Sequence, residues 1–395
     1  MQAMPAPEHP AAPSRRAAWA DRWRALRDRL LASPGFQRSA AAFPLTAPIA
    51  RRRAGALFDL VAGFVYSQVL LACVQLHLFD ILAEGPQSED ALARRLGLTV
   101  EAARRLLAAT VALRLVETRG EGRFGLGELG APMVGNSAIA AMVTHHAALY
   151  DDLRDPVALL RGEGGGAALA RYWPYAQAAQ PGALPAASVA DYCALMSASQ
   201  PLVADEILDA HDLRGHRCLL DVGGGEGSFL ISAARRAPAL QLMLFDLPAV
   251  AERARSRCAA AGIGHRLRIE GGSFLTDVLP RGADIASLVR VIHDHDDAAA
   301  LAILRAVRGA LPEGGTLLLA EPMAGTPGAQ AMGDAYFGFY LLAMGRGRPR
   351  SAGTLRALLL QAGFDRVRQV RTRMPLQIGL LVAHAGLASS RVPGV

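Results

Sequence analysis

The run Leu219-Leu-Asp-Val-Gly-Gly-Gly-Glu-Gly-Ser-Phe-Leu230 constrains the fold more than any other stretch of the chain. The apolar segment Cys218 to Val222 reads as a buried strand. It ends in four glycines out of five residues, and a helical pattern begins at once. Glycine lets the backbone turn sharply and lie against a ligand, and the start of the following helix offers unpaired N–H groups. Gly-rich strand-to-helix turns serve several nucleotides, so the turn alone does not choose among them. No Gly-Lys-Ser/Thr follows, and the chain has no lysine at all, which removes a phosphate-binding P-loop. A turn without a ligand is the plain alternative, but ordinary strand-to-helix turns rarely need so many glycines.

A second strand, Leu240 to Phe245, ends in Asp246, 25 residues after Asp221. A carboxylate at that place suits the two hydroxyls of a ribose. A nicotinamide site would share this feature, but the loop lacks the G-x-G-x-x-G spacing, and Glu226 puts a carboxylate where a pyrophosphate would lie. An acidic loop fits a cationic, phosphate-free ligand better, which points to the sulfonium of S-adenosylmethionine.

Beyond residue 211 strands and helices alternate, with strands expected at Arg217–Val222, Gln241–Phe245, Arg266–Ile269, Asp284–Val289 and Thr316–Ala320, and the last ones near Val367–Val370 and Ile378–Ala383. That alternation predicts an α/β domain with a doubly wound, largely parallel sheet. A length of 395 residues makes two domains the prior expectation, and 52% hydrophobic content supports sizeable cores. Upstream, Ser88–Leu96 and Val100–Leu115 read as helices around the turn Gly97–Thr99, and Val116–Leu126 as a hairpin turning at Gly120–Gly122. This is a winged-helix outline. A DNA reader, however, needs several phosphate and base contacts, and the second helix offers only Arg104 and Arg105, with Glu101 beside them. No nucleic acid is expected as a partner. Residues 127–210 read as helical, interrupted at Gly162–Gly166 and Gln180–Pro185. The expected division is a basic extension (1–54), a winged-helix domain (55–135), a helical linker lining the substrate (136–210) and a cofactor domain (211–395).

The net charge of +7 is uneven: residues 1–60 hold ten arginines against Glu8, Asp21, Asp28 and Asp59. Trp19, Trp23, Leu26 and Leu30 fall on one helical face with arginines around it. Such a stripe could lie on an anionic membrane, or serve as an arm packed across a second copy. Leu60 to Phe79 carries no Asp, Glu, Arg or Lys and is long enough to span a bilayer. Ser67, Gln68, Gln75 and His77 interrupt it, so it reads as a core helix buried between two subunits. The first residues show no cleavable signal, and Cys73, Cys193, Cys218 and Cys258 read as reduced core residues; both fit a cytoplasmic protein.

Chemistry belongs beyond the C-terminal ends of the strands. There stand Arg290-Val-Ile-His-Asp-His-Asp-Asp297 and Glu321-Pro-Met. Imidazole is a natural proton acceptor near neutral pH, and Glu321, leaving the neighbouring strand at a similar height, could take the other ring N–H of His293. His293-x-His295 with its carboxylates could instead hold a metal. His295 and Asp296 read better as the solvated, capping start of the next helix, and no metal is expected.

These motifs together resemble the class I S-adenosylmethionine O-methyltransferases of the plant caffeate and acetylserotonin type. Asp221-Val-Gly-Gly-Gly-Glu-Gly is similar to that family's cofactor loop, Phe245-Asp-Leu-Pro248 to its ribose-binding turn, and Val291-Ile-His-Asp294 to its catalytic histidine motif. The resemblance runs from about Gly55 to the C-terminus. A narrower likeness is to the bacterial hydroxyneurosporene (demethylspheroidene) O-methyltransferases of carotenoid synthesis. It is carried by Phe43-Pro-Leu-Thr-Ala-Pro-Ile-Ala-Arg51, Phe58-Asp-Leu-Val-Ala-Gly-Phe64, Tyr192–Pro201 and Asp334-Ala-Tyr-Phe-Gly-Phe-Tyr-Leu-Leu-Ala-Met-Gly-Arg-Gly-Arg348.

The resemblance implies a homodimer formed through the winged-helix domain and S-adenosylmethionine as cofactor. It places cofactor contacts at Asp221, Gly223, Gly225, Asp246, Leu247, Ser273, Phe274 and Arg290, and the base at His293 with Glu321. It further implies methylation of a tertiary hydroxyl on an acyclic carotenoid, with proton removal concerted with attack; a phenol or indole acceptor would use the same catalytic residues. Met196, Tyr336, Phe337, Tyr340 and Met344, with Phe339, suit a long apolar substrate, though helix packing explains such a stripe equally. Three positions depart from the plant pattern: Ser273 replaces an adenine-binding Asp, Val289 a cofactor-side lysine, and Pro349 a second catalytic glutamate.

Overall fold

The computed structural model describes residues 15–163, 167–172 and 190–386. The expected interruption at Gln180–Pro185, and most of that at Gly162–Gly166, lie outside them. Three helices open the described part of the chain: α1 (Arg15–Ala32), α2 (Pro34–Ala42) and α3 (Ala47–Gln75). A left-handed residue, His77 at φ 54°, turns the chain into α4 (Leu78–Ala83). The apolar stretch from Leu60 to Phe79 is therefore two elements, not one. Cys73 is buried, with Val69, Leu70 and Val74 packed beside it, whereas Leu57, Phe58, Leu60, Val61 and Phe64 are 61–82% exposed. Within one chain the core reading holds only for the C-terminal half of α3, a helix long and apolar enough by composition to cross a membrane.

The winged-helix outline is present. Strand β1 (Gln87–Ser88), helices α5 (Glu89–Leu96) and α6 (Val100–Ala112), and strands β2 (Val116–Arg119) and β3 (Arg123–Leu126) form it, the sheet running β1-β3-β2. The Ser88 and Thr99 side chains cap α5 and α6 by accepting the N–H groups of Ala91 and Ala102, and Gly97 ends α5 at φ 67°. Arg104 pairs with Glu89 and Glu101, and Arg105 with Glu101.

Helices α7 (Ser137–Asp152), α8 (Pro156–Arg161), α9 (Ala167–Tyr172) and α10 (Ala190–Ala210) lead to the sheet domain. In chain order this comprises β4 (Cys218–Val222), α11 (Ser228–Arg236), β5 (Gln241–Asp246), α12 (Pro248–Ala260), β6 (Leu267–Gly271), β7 (Ile285–Val289), α13 (Asp297–Ala310) and β8 (Thr316–Glu321). There follow α14 (Phe337–Met344), entered through a π-helical turn at Ala331–Tyr336, then α15 (Ala352–Gln361), β9 (Phe364–Val370) and β10 (Gly379–Ala385). The seven strands lie in the order β6-β5-β4-β7-β8-β10-β9. Six run in one direction, and only β10, between β8 and β9, runs antiparallel to its neighbours. The central strands are apolar on both faces because each face carries a helix-bearing core: Leu220, Leu288 and Leu317 on one side, Leu219, Leu244 and Leu318 on the other. Cys73 and Cys258 are buried free thiols and Cys218 is half-buried; the side chain of Cys193 is outside the description.

Candidate active site

The chain leaves β4 toward β5 and β6, then returns across the sheet to β7, so the topology switches between β4 and β7. Ligands of doubly wound sheets bind beyond the strand ends at such a point. A cleft opens there, lined by Met196, Ser197 and Gln200 from α10, Gly223–Glu226 after β4, Asp246 and Leu247 after β5, and Ser273–Leu275 after β6. Val289–Val291, Asp294 and His295 after β7, and Met344 and Arg346 after α14, complete it. The expected residues Gly223, Gly225, Asp246, Leu247, Ser273, Phe274, Arg290, Met196 and Met344 thus share one wall system.

Asp221 does not reach the cleft. It is buried beneath the glycine loop, where its Oδ1 accepts from Ser287 Oγ at 2.6 Å, and a Cβ on Gly224 would lie 2.6 Å from its Oδ2. Burial pushes its carboxyl up to about 7. It shapes the loop from below. Gly225, at φ 58°, lines the cleft where a Cβ would meet no protein atom within 4 Å, but where L side chains are strained. Asp246 accepts the N–H of Gly225 through Oδ2 (2.8 Å) and that of Leu247 through Oδ1 (2.7 Å), leaving one lone pair on each oxygen for a diol. Burial holds its carboxyl at about 6, above the usual range, despite those two bonds. The carboxylate, the glycine loop and the absence of a P-loop fit the ribose end of S-adenosylmethionine.

Glu226 behaves differently from the sequence reading. Arg253 and Arg257 of α12 pair with it at 2.6 and 2.8 Å, and Ser197 Oγ donates to it at 3.0 Å. Burial opposes its charge, but these hydrogen bonds prevail and hold its carboxyl below the usual range. The loop is therefore not a net acidic surface, and the argument from Glu226 to a cationic ligand loses its basis. Arg290 adopts a left-handed backbone at φ 57°, and its guanidinium reaches Ser199 Oγ (2.9 Å), Gln200 Oε1 (2.5 Å) and the carbonyl of Met196 (3.3 Å). It joins the end of β7 to α10 as well as facing the cleft.

His293 and Glu321 are brought together as their spacing suggests. Glu321, buried at the end of β8, accepts from His293 Nδ1 at 2.5 Å and from the N–H groups of Val291 (3.0 Å) and Ile292 (2.6 Å). Nδ1 therefore carries the proton in neutral His293, and Nε2 is the basic nitrogen. Nε2 lies 3.1 Å from Asp294 Oδ1. Burial works against an imidazolium, yet the carboxylates of Asp294 and Glu321 outweigh it, so the proton affinity of His293 is raised. Burial also lifts Asp294, to about 6. His293 is only 8% exposed and stands just behind the wall that Asp294 and His295 present.

Asp296 caps α13 as expected, its side chain accepting the N–H of Ala299 at 2.8 Å. His295 is not solvated as expected: it lines the cleft against the edge of Phe274, and burial lowers it to about 4. Among the described residues no cluster of His, Cys, Asp and Glu suits a metal.

Tyr336, Phe337 and Tyr340 are not on the cleft wall. Phe337 packs edge-on against His293, and the Tyr336 and Tyr340 hydroxyls meet Nε2 of His146 and His145 on α7, each at 2.8 Å. Phe339 faces outward. Tyr336 and Tyr340 pack in one apolar cluster with Met196 and Met344, which do line the cleft. Asp294, Arg346, Ser197 and Gln200 are wall residues to which the sequence reading gave no role, and His295 joins them from the helix start expected of it.

Comparison with known proteins places this architecture. An O-methyltransferase domain family matches residues 150–365, and an O-methyltransferase dimerisation domain family matches residues 58–136. Among curated relatives, demethylspheroidene O-methyltransferase of Cereibacter sphaeroides is 46% identical over 86% of this chain and 89% of its own. That of Rhodobacter capsulatus is 41% identical over 87% and 85%. Acetylserotonin O-methyltransferase of Mus musculus is 34% identical over 85% and 90%. The crystal structure of human N-acetylserotonin methyltransferase in complex with SAM shares the fold, with a TM-score of 0.67 at 23% identity over 85% of this chain and 98% of that one. With a cofactor-type cleft at the switch point, a histidine held by a buried glutamate and these matches over most of its length, the chain belongs to the O-methyltransferase family and is an O-methyltransferase.

Proposed function

We propose that this enzyme uses S-adenosylmethionine to convert the tertiary 1-hydroxyl of an acyclic carotenoid, of the hydroxyneurosporene or demethylspheroidene type, to a methoxy group. The observation that carries the reading is the identity to two demethylspheroidene O-methyltransferases along most of the chain, above that to the acetylserotonin enzyme. The cleft agrees with it: Met196 and Met344, from the helices outside the sheet, give its acceptor side an apolar wall.

When bound, the cofactor supplies an electrophilic methyl group. Asp246 and the glycine loop hold its ribose end, with Leu247, Ser273 and Phe274 beside them. His293 Nε2 takes the acceptor's proton as the new C–O bond forms, because a tertiary alcohol holds its proton too tightly to lose it beforehand. Glu321 fixes the tautomer and stabilises the imidazolium.

The enzyme works as a homodimer through the family's dimerisation domain, on the face of a membrane that dissolves its substrate. On α1, Trp19 (71% exposed), Trp23 (59%), Leu26 and Leu30 form a stripe about 60° wide at helical spacing. Arg22 and Arg29 flank it on one side and Arg16 and Arg27 on the other, while Asp21 and Asp28 sit opposite. Arg24 and Arg27 pair with Asp21 and Asp28, which leaves the arginines beside the stripe in excess, as an anionic lipid surface would need. Mass spectrometry of carotenoids from cells lacking the gene tests the substrate. Loss of one methoxy group is expected; an unchanged profile, with transfer to phenols or indoles in vitro, overturns the reading.

A further inference from the structure

Arg350 is the most deeply buried arginine near the site, at 3% exposure, and the catalytic assignment gives it nothing to do. A guanidinium is held out of water only where its donors are met by well-placed acceptors. They are met here by the turn that carries His293. Nη1 donates to the carbonyl of Ile292 at 2.9 Å, Nη2 to the carbonyl of His295 at 2.7 Å, and Nε to Asp297 Oδ1 at 2.9 Å. Next to it the N–H of Arg348 donates to the carbonyl of His293 at 2.9 Å. Gly347, at φ 78°, lets the segment pass: a Cβ there would overlap that same carbonyl oxygen.

The other face of the turn is held by Glu321, which takes the N–H groups of Val291 and Ile292 as well as His293 Nδ1. An anion thus grips the turn's donors while a cation grips its acceptors. Both grips hang from the same strand end. Glu321 is the last residue of β8, and Arg350 is tied just beyond it, its carbonyl accepting the N–H of Ala324 at 3.0 Å beside the Ala324–Ser351 bridge.

We infer that Arg350 is a positioning residue for methyl transfer: with Glu321 it clamps the His293 turn from both sides and keeps Nδ1 on the Glu321 carboxylate. This rests on His293 being the base.

Arg350→Lys keeps the charge but cannot bridge two carbonyls and Asp297 at once. The turn then slackens, the bond from His293 to Glu321 lengthens, and the proton affinity of His293 drops toward its ordinary value. A misplacement of about 1 Å can cost on the order of 10² in rate. Expected for R350K is therefore a kcat roughly ten- to a hundredfold lower, cofactor affinity within about twofold, and an acid limb of the pH–kcat profile moved to lower pH. In Arg350→Ala, added guanidinium should raise turnover several-fold while leaving the unsubstituted enzyme unaffected; if this variant does not fold, R350K carries the test. A kcat within twofold and an unmoved acid limb in R350K overturn the inference. So does a lower Tm with unchanged turnover per folded enzyme. His293→Ala separates the layers: if it stays active, the base assignment fails, whereas an inactive His293→Ala beside an unaffected R350K refutes Arg350 alone.

Discussion

Glu321→Gln is nearly isosteric and removes one charge, and from the sequence it looks milder than loss of the histidine. The geometry argues otherwise. One carboxylate oxygen already receives the N–H groups of Val291 and Ile292, and the other receives His293 Nδ1. A glutamine has one acceptor oxygen and one NH2. If the oxygen stays on the two backbone N–H groups, the NH2 faces Nδ1, and the ring must take its other tautomer, with the proton on Nε2. If the amide flips instead, two buried N–H groups lose their acceptor, at about 1–3 kcal/mol each. The first arrangement wins by roughly 2–6 kcal/mol, a factor of about 30 or more. Nearly every molecule then points a protonated nitrogen at the acceptor and has no base.

Positioned base catalysis is worth about 10² to 10⁴ in rate. Glu321→Gln should lose that whole range, as much as His293→Ala, with cofactor affinity unchanged because Asp246 and the glycine loop are untouched. Single-turnover methyl transfer to a micelle-dispersed hydroxycarotenoid measures the rate, calorimetry the cofactor affinity, and 15N NMR of the imidazole the tautomer. A loss under tenfold, or an Nε2 that remains unprotonated in the variant, refutes the tautomer argument.

His293→Ala should itself lose about 10² to 10⁴ in turnover and still bind cofactor; a few-fold loss would make His293 a packing residue. Asp246→Asn should weaken cofactor binding in calorimetry and stabilise the unliganded protein: a carboxyl raised from 3.8 to about 6 costs the fold nothing at low pH and on the order of 3 kcal/mol once pH exceeds 6. Part of that gain is offset by a lost backbone acceptor. The variant's Tm advantage should therefore grow between pH 4 and 6 and level off above, and a pH-independent difference would contradict the burial account. Trp19→Ser with Trp23→Ser should reduce co-sedimentation with anionic vesicles while leaving transfer to micellar acceptor intact; equal sedimentation of both forms would discard the membrane face.

The cofactor half of the cleft was legible because its signals are local. A strand, a glycine run and a terminal carboxylate are each written in a few adjacent residues, and Asp246 needs only the next strand to stand beside them. The pairing of His293 with Glu321 was legible for another reason: successive strand ends of a parallel sheet lie side by side at one level. The charge of Glu226 was misread because its partners lie elsewhere. Arg253 and Arg257 are four apart on one face of α12, a spacing that could have been read as a double contact with the neighbouring glycine loop. Nothing local reveals that Tyr336 and Tyr340 spend their hydroxyls on His146 and His145, almost two hundred residues away. Arg350 escaped because arginine's default place is at the surface, and burial of one is visible only once its carbonyl acceptors are assembled around it.

The two halves of the cleft are also held in different ways, and that bears on how acceptor choice is built. Gly223, Asp246 and Val289 sit at the ends of hydrogen-bonded parallel strands, so their places are fixed by the sheet itself. Met196 and Met344 come from α10 and α14, which pack with Leu149, Leu159 and Leu169 in a separate apolar cluster outside the sheet cores. Arg290 is a direct tie between the systems, donating from the end of β7 to three residues of α10. Its left-handed backbone costs about 1 kcal/mol or more in a residue with a Cβ, a strain that persists only where surroundings impose it. The strain is offset by those donations. The acceptor wall can therefore vary with its helices while the cofactor floor and the clamped His293 turn stay in register, provided the link through Arg290 is kept.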